Sequence, residues 1–198
     1  MNKYFKILCV GCLLIILTIS TSALANVEQK IVTKTQANQA FEYALQYVEH
    51  EVAYKLGGRF SIAQYLAALA DGKQPGLDIG VDASAVVINA YRSVFPSLLF
   101  KPSADSTRYV SDVSSSVIYH YNSIPITEDD LTKGDLVFFK NAAGNIIGVS
   151  LFSHFEGNLI HFITASQSAG KVIVSKINME GNYWKTHFAG YGRLLYAE

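Results

Sequence analysis

An α+β domain is what this sequence predicts, with helices packed on an antiparallel sheet. Two observations carry the prediction. Apolar residues recur at helical spacing in the first half of the mature chain, and β-rich apolar runs bounded by turn residues fill the second half. Helices first and strands later is the α+β order. A third observation limits the size: 198 residues, 50% of them hydrophobic, suit one globular domain.

The first 25 residues stand apart from that domain. Lys3 and Lys6 form a basic start, residues 7–19 form an apolar run, and Ser22-Ala23-Leu24-Ala25 offers a small-x-small cleavage site. The apolar run is shorter than the ~20 residues that span a bilayer. A lipid-anchored start at Cys12 fits less well, because Leu8-Cys9-Val10-Gly11-Cys12 is a poor lipidation site and comes too early. The expectation is a signal peptide over 1–25, cut after Ala25, and a single domain over 26–198. Export follows, to the periplasm or beyond, with membrane contact only through the leader before cleavage.

Cys9 and Cys12 are the only cysteines, and both lie in the leader. The mature chain therefore has no thiol and no disulfide, whatever its compartment permits. Without Lys3 and Lys6 the basic count falls from 16 to 14 against 16 acidic residues, a net charge of −2. Such a balance does not suit nucleic-acid binding, which needs a basic face. The five histidines are scattered, with no short-spaced ligand pair, so no metal site and no cofactor are expected.

Along the mature chain, residues 35–52 read as a first helix with Phe41, Ala44, Leu45, Val48 and Val52 on its buried face. Gly57-Gly58 stops it and turns the chain. Residues 61–71 read as a further helix, with Ile62, Tyr65, Leu66 and Leu69 on one side and Gly72 as its stop. This inserted stretch, about 59–75, packs on the core or lies as a lid over a cleft. Asp82 is placed to cap the next helix. Val86, Val87, Ala90, Tyr91 and Val94 mark its apolar face, and Pro96 ends it. Residues 117–121 fit a strand or a buried turn. Gly134 turns the chain into the apolar strand of Leu136-Val137-Phe138-Phe139. Residues 146–153 and 158–165 read as a hairpin around Glu156-Gly157. Residues 171–177 read as another strand.

Several of these stretches, in order, resemble the NlpC-type cell-wall cysteine peptidases, a papain-like family. Tyr54-Lys55-Leu56-Gly57-Gly58 resembles its Tyr-x-x-Gly-Gly turn. Asp82-Ala83-Ser84-Ala85 stands where the family reads Asp-Cys-Ser-Gly. Leu131-Thr132-Lys133-Gly134-Asp135-Leu136-Val137-Phe138-Phe139 resembles its Leu-x-x-Gly-Asp-Leu-Val-Phe-Phe hallmark. Tyr183-Trp184 and Gly190-Tyr191-Gly192-Arg193 resemble its closing pattern. The resemblance covers 41–195 and implies a central antiparallel sheet of about five or six strands. The glycine and Asp135 of the hallmark have a structural reading, with Asp135 as a turn acceptor.

The resemblance also shows what is missing. The family sets a Cys at the helix start, a base His on the outgoing hairpin strand and a third polar residue on the return strand. Here the nucleophile position is Ala83. The base position falls on Ile146 when the glycine is matched, or on Val149 when counted back from His161. His161 resembles the third residue, although a core histidine bonded to backbone is an equal reading. Removing a triad nucleophile alone costs roughly 10⁶-fold in kcat. No catalytic residue is therefore assigned, and Tyr54, Asp82, Ser84 and His161 are the candidate binding residues.

The function expected is that of an exported pseudoenzyme that binds cell-wall peptide or an envelope protein. Two alternatives remain open. One is an active cell-wall peptide hydrolase or amidase with a nucleophile such as Ser84, which would need a strong base nearby. The other is a purely structural envelope domain with a filled cleft.

Overall fold

The structure, a computed structural model, describes residues 28–198. The expected signal peptide and its cleavage site lie outside the described residues. The described chain opens with a two-residue strand, β1 (Lys30–Ile31), and turns into α1 (Lys34–Glu49). The Thr33 hydroxyl accepts from the Gln36 amide while the Gln36 side chain accepts from the Thr33 amide at 2.9 Å. Two donors that the first turn would leave free are thereby satisfied.

The buried face of α1 is Ala37, Ala40, Phe41, Ala44 and Tyr47. Leu45 and Val48, expected on it, are only partly covered, and Val52 is buried beyond the helix end. The stripe is rotated because three alanines, not the larger side chains, allow the close approach to the core. Tyr47 is fully enclosed because its hydroxyl donates to the Phe60 carbonyl at 3.0 Å, which satisfies the polar tip.

The inserted segment forms α2 (Ile62–Ala70), capped by Ser61. Ile62 and Tyr65 are buried, while Leu66 and Leu69 are substantially exposed. The Tyr65 hydroxyl accepts from the Ala53 amide at 3.2 Å, which ties the helix to the core. Next comes α3 (Ala83–Val94), in which every side chain from Ser84 to Tyr91 is buried. Residues 117–121 lie in a helix, α4 (Ser115–Tyr121), instead of the expected strand or turn. Their aromatic and β-branched composition favours a strand, but the Ser114 cap at one end and the fully buried Asn122 at the other set the local geometry. Asn122 donates to the carbonyls of Lys101 and Val117.

The remaining elements are β2 (Ser123–Ile126), β3 (Leu136–Lys140), β4 (Ile146–Glu156), β5 (Leu159–Ser166), β6 (Lys171–Asn178), α5 (Asn182–His187) and β7 (Phe188–Tyr196). The sheet runs β1-β7-β3-β4-β5-β6, with β2 also paired to β7. Its pairings are antiparallel. Among the described residues it has seven strands where about five or six were expected. The uncounted β1 and β2 are two and four residues long, too short to show alternation.

Alternation along the long strands builds two cores. Leu136, Phe138, Val149, Leu151 and Ile163 face the helices. Val137, Phe139, Phe152, Ile160 and Phe162 face the other way, under Trp184 of α5.

The hallmark before β3 now has a physical cause. A Cβ at Gly134 would lie 1.9 Å from the Ala37 carbonyl oxygen, so only glycine lets the turn seat against α1. Asp135 is fully buried. It accepts from the Thr132 amide at 2.8 Å and from Arg193 Nε and Nη2 at 2.9 and 2.7 Å. It is the expected turn acceptor and also one half of a buried ion pair. That pair locks β3 to β7.

Candidate functional site

The N-terminus of α3 opens on a cleft of about 1000 Å³. That is the upper end of the ~300–1000 Å³ usual for ligand pockets. Ala83 and Ser84 form its helix side, with Tyr54 and Arg59 beside them. Ile146, Ile147 and Gly148 of β4 and Phe162, Thr164 and Ser166 of β5 form the sheet side.

The turn at Gly57-Gly58 brings Tyr54 here. A Cβ at Gly58 would lie 2.3 Å from the Gly80 carbonyl oxygen. The two backbones cross so closely that only a glycine fits. The Asp82 amide donates to the Gly58 carbonyl at 3.2 Å, which fixes the segment against the start of α3.

Asp82 is the hub of the site. One carboxylate oxygen accepts from the Ala85 amide at 2.9 Å, capping the helix, and from the Ser84 hydroxyl at 2.8 Å. The other accepts from the Gly57 amide at 3.2 Å and pairs with Arg59. Arg59 also bonds Asp112 at 2.9 Å. Burial works against the charged form of Asp82, but the Arg59 guanidinium, the Ala85 amide and the Ser84 hydroxyl outweigh it. They hold the carboxyl below its ordinary range. Burial likewise opposes the Arg59 charge, and the two carboxylates more than restore it.

This arrangement bears on Ser84. Its side chain is buried, and its proton is already given to a carboxylate that is a weakened base. No histidine stands among the described residues that line the cleft. The geometry supplies a helix start, an ion pair and hydroxyl groups, with no imidazole among the described residues of the lining.

Four candidate binding or nucleophile positions, Tyr54, Asp82, Ala83 and Ser84, come together on the cleft, and Ile146 joins them from β4. Val149 does not. It is fully buried against Phe138 on the helix side of the sheet. A bulge between Phe139 and Lys140 shifts the register, so Ile146 and Ile147 both reach the cleft.

His161 is a correction. It was expected on the cleft, but it pairs with His154 near the hairpin tip and is absent from the lining. Its ring stacks on His154 at 4.4 Å, and its Nε2 lies 3.1 Å from Glu156. Strand alternation turns it to the opposite face from Phe162 and Thr164. Thr164 and Ser166 are the polar residues that β5 presents to the cleft. Alternation from Phe162 contains that signal, but a histidine beside the hairpin drew the assignment.

α2 contributes no residue to the lining, so the inserted helix does not cover the cleft. Sequence reasoning missed Arg59, Ile147 and Tyr183 as lining residues. Ile147 and Tyr183 are exposed apolar groups at its rim. Spacing offers no signal for residues brought in by a loop, a bulge and a six-residue helix.

Residues 51–193 match the profile of the NlpC/P60 family. The chain belongs to the NlpC/P60 family. Membership makes this a domain related to the cell-wall peptidases, and the matched span runs from the turn before Tyr54 to Arg193. A search of curated proteins finds no match to this NlpC/P60 chain. No helix among its described residues is long and apolar enough to cross a membrane.

Proposed function

We propose that this NlpC/P60 chain is an exported pseudoenzyme that binds cell-wall peptide or an envelope protein in its cleft without hydrolysing it. The observation that carries the reading is Ala83 at the open start of α3, facing a cleft with no histidine among the described residues that line it. A methyl in place of a thiol removes the nucleophile and changes little of the shape. The groove keeps backbone groups, hydroxyls and an apolar rim, which suffice to hold a ligand. An unfilled cleft speaks against a purely structural role. The bonding of Ser84 to Asp82 speaks against the serine alternative.

Purified peptidoglycan incubated with the mature protein tests the proposal. Co-sedimentation without release of soluble fragments is the expected result. Ile147→Asp, which places a charge on the apolar rim, should reduce co-sedimentation. Fragment release that disappears in Ser84→Ala would replace binding by serine hydrolysis. Export is tested separately by intact mass, which should begin at Asn26; an exported form that retains Lys3 would refute cleavage after Ala25.

A further inference from the structure

The ladder of hydrogen bonds across the sheet ends at β6, and one lip of the cleft is that edge. Its first residues are already covered. The Tyr54 amide donates to the Gly170 carbonyl at 2.8 Å, and the Val172 amide donates to the Val52 carbonyl at 2.9 Å. Even-numbered residues of β6 therefore turn their backbone groups away from β5, and odd-numbered ones bond to it. The same alternation aims the N–H and C=O groups of Val174 and Lys176 outward, beyond the end of the covering segment. No other strand pairs with β6, and no other backbone hydrogen bond among the described residues engages these two positions. Both side chains are exposed. Ser175, Lys176 and Ile177 line the cleft.

We propose that the edge of β6 is a strand-addition site for an extended polypeptide segment, with an acidic side chain set opposite Lys176. The segment continues the ladder that Val52 and Tyr54 begin, bonds to Val174 and Lys176, and sends alternate side chains into the cleft. This rests on the cleft being a binding surface, and it commits the ligand to a protein partner. A glycan cannot supply N–H and C=O groups at the ~7 Å repeat of a strand.

Charge selects the kind of segment. Arg59 and Asp82 compensate each other, whereas Lys176 has no ion-pair partner among the described residues. A second copy of this chain is a poor occupant, since self-pairing centred on Lys176 sets like charges opposite one another. An edge lysine is a common device against such self-pairing.

The test uses the exported chain from Asn26 and a blocked synthetic heptapeptide, Thr-Val-Thr-Glu-Thr-Val-Thr, followed by fluorescence polarisation. Saturable binding is expected, with amide exchange slowed at Val174 and Lys176. Val174→Pro removes one outward donor and leaves the bonds of its odd-numbered neighbours to β5, a change that edge strands tolerate. It should weaken binding at least about tenfold, a loss of about 1.4 kcal/mol. Lys176→Glu should reverse the preference towards a probe with Lys in place of Glu. A probe N-methylated at alternate residues leaves the protein untouched and should lose binding in one of its two phases.

No saturable binding overturns the proposal. So does equal binding of both N-methylated probes, or dimerisation of the wild type that Val174→Pro abolishes. Peptidoglycan retention by a protein that ignores the heptapeptide refutes strand addition alone; loss of both refutes the cleft reading as well.

Discussion

Replacing Arg193 by methionine should destabilise the domain by about 3 kcal/mol, because it leaves the buried Asp135 carboxylate without its cation. Breaking a buried pair by removing one partner costs about 3–5 kcal/mol. The lower end applies here for two reasons. The Arg193 side chain keeps 15% of its surface exposed, and Asp135 retains the Thr132 amide at 2.8 Å. The loss also frees the Asp130 carbonyl, which accepts from Arg193 Nη2 at 2.9 Å. With a urea slope of about 2 kcal/mol per M, the unfolding midpoint should fall by about 1.5 M. In a thermal scan the drop should be about 6–12 °C. Arg193→Lys should lie between methionine and wild type, since an ammonium keeps the charge but not the two-pronged geometry. The double change Asp135→Asn with Arg193→Met should cost less than the sum of the single changes, because a neutral amide needs no counter-charge. A midpoint for Arg193→Met within about 0.2 M of wild type would refute the reasoning and reduce the pair to the near-zero worth of a surface contact.

Three further outcomes follow from the same geometry. Ala83→Cys alone should give no peptidase activity on cell-wall peptides, because the missing imidazole contributes roughly 10²–10⁴-fold; Ala83→Cys with Ile146→His should exceed it, and a single mutant as fast as the double would refute the missing-base argument. Asp82 has a folded-state pKa below its ordinary 3.8, so its contribution is whole above that range and is lost as pH falls through and below it; urea titrations should show a shallower acid limb in Asp82→Asn, and an unchanged limb would refute the assignment. Ser150 is buried on β4 with no hydrogen-bond partner for its hydroxyl among the described residues, so Ser150→Ala should be neutral or stabilising by up to about 1 kcal/mol in the same titrations; a loss above that would mean that the hydroxyl is bonded.

The positions of α1, α2 and α3 and the strands from β3 to β6 were legible in the sequence because each carries a local signal. Caps at Ser61 and Asp82, stops at Gly57-Gly58 and Gly72, and apolar runs such as Leu136-Val137-Phe138-Phe139 act within a few residues of themselves. The absence of cysteine from residues 28–198 was equally plain, since the positions of Cys9 and Cys12 alone determine it. The helix at 115–121, the pairing of β1 and β2 with β7 and the rotated face of α1 were not legible. Each depends on partners far along the chain, such as Lys101 for Asn122 and Phe60 for Tyr47. The cleft shows the same division. Tyr54, Asp82, Ala83 and Ser84 were named from two short motifs, one in the turn after α1 and one at the start of α3. Whether Ile146 or Val149 reaches the cleft, and whether β5 presents His161 or Thr164, was decided by a bulge and by strand alternation. A shift of one residue in a strand reverses the face of every side chain, and no local spacing reports it.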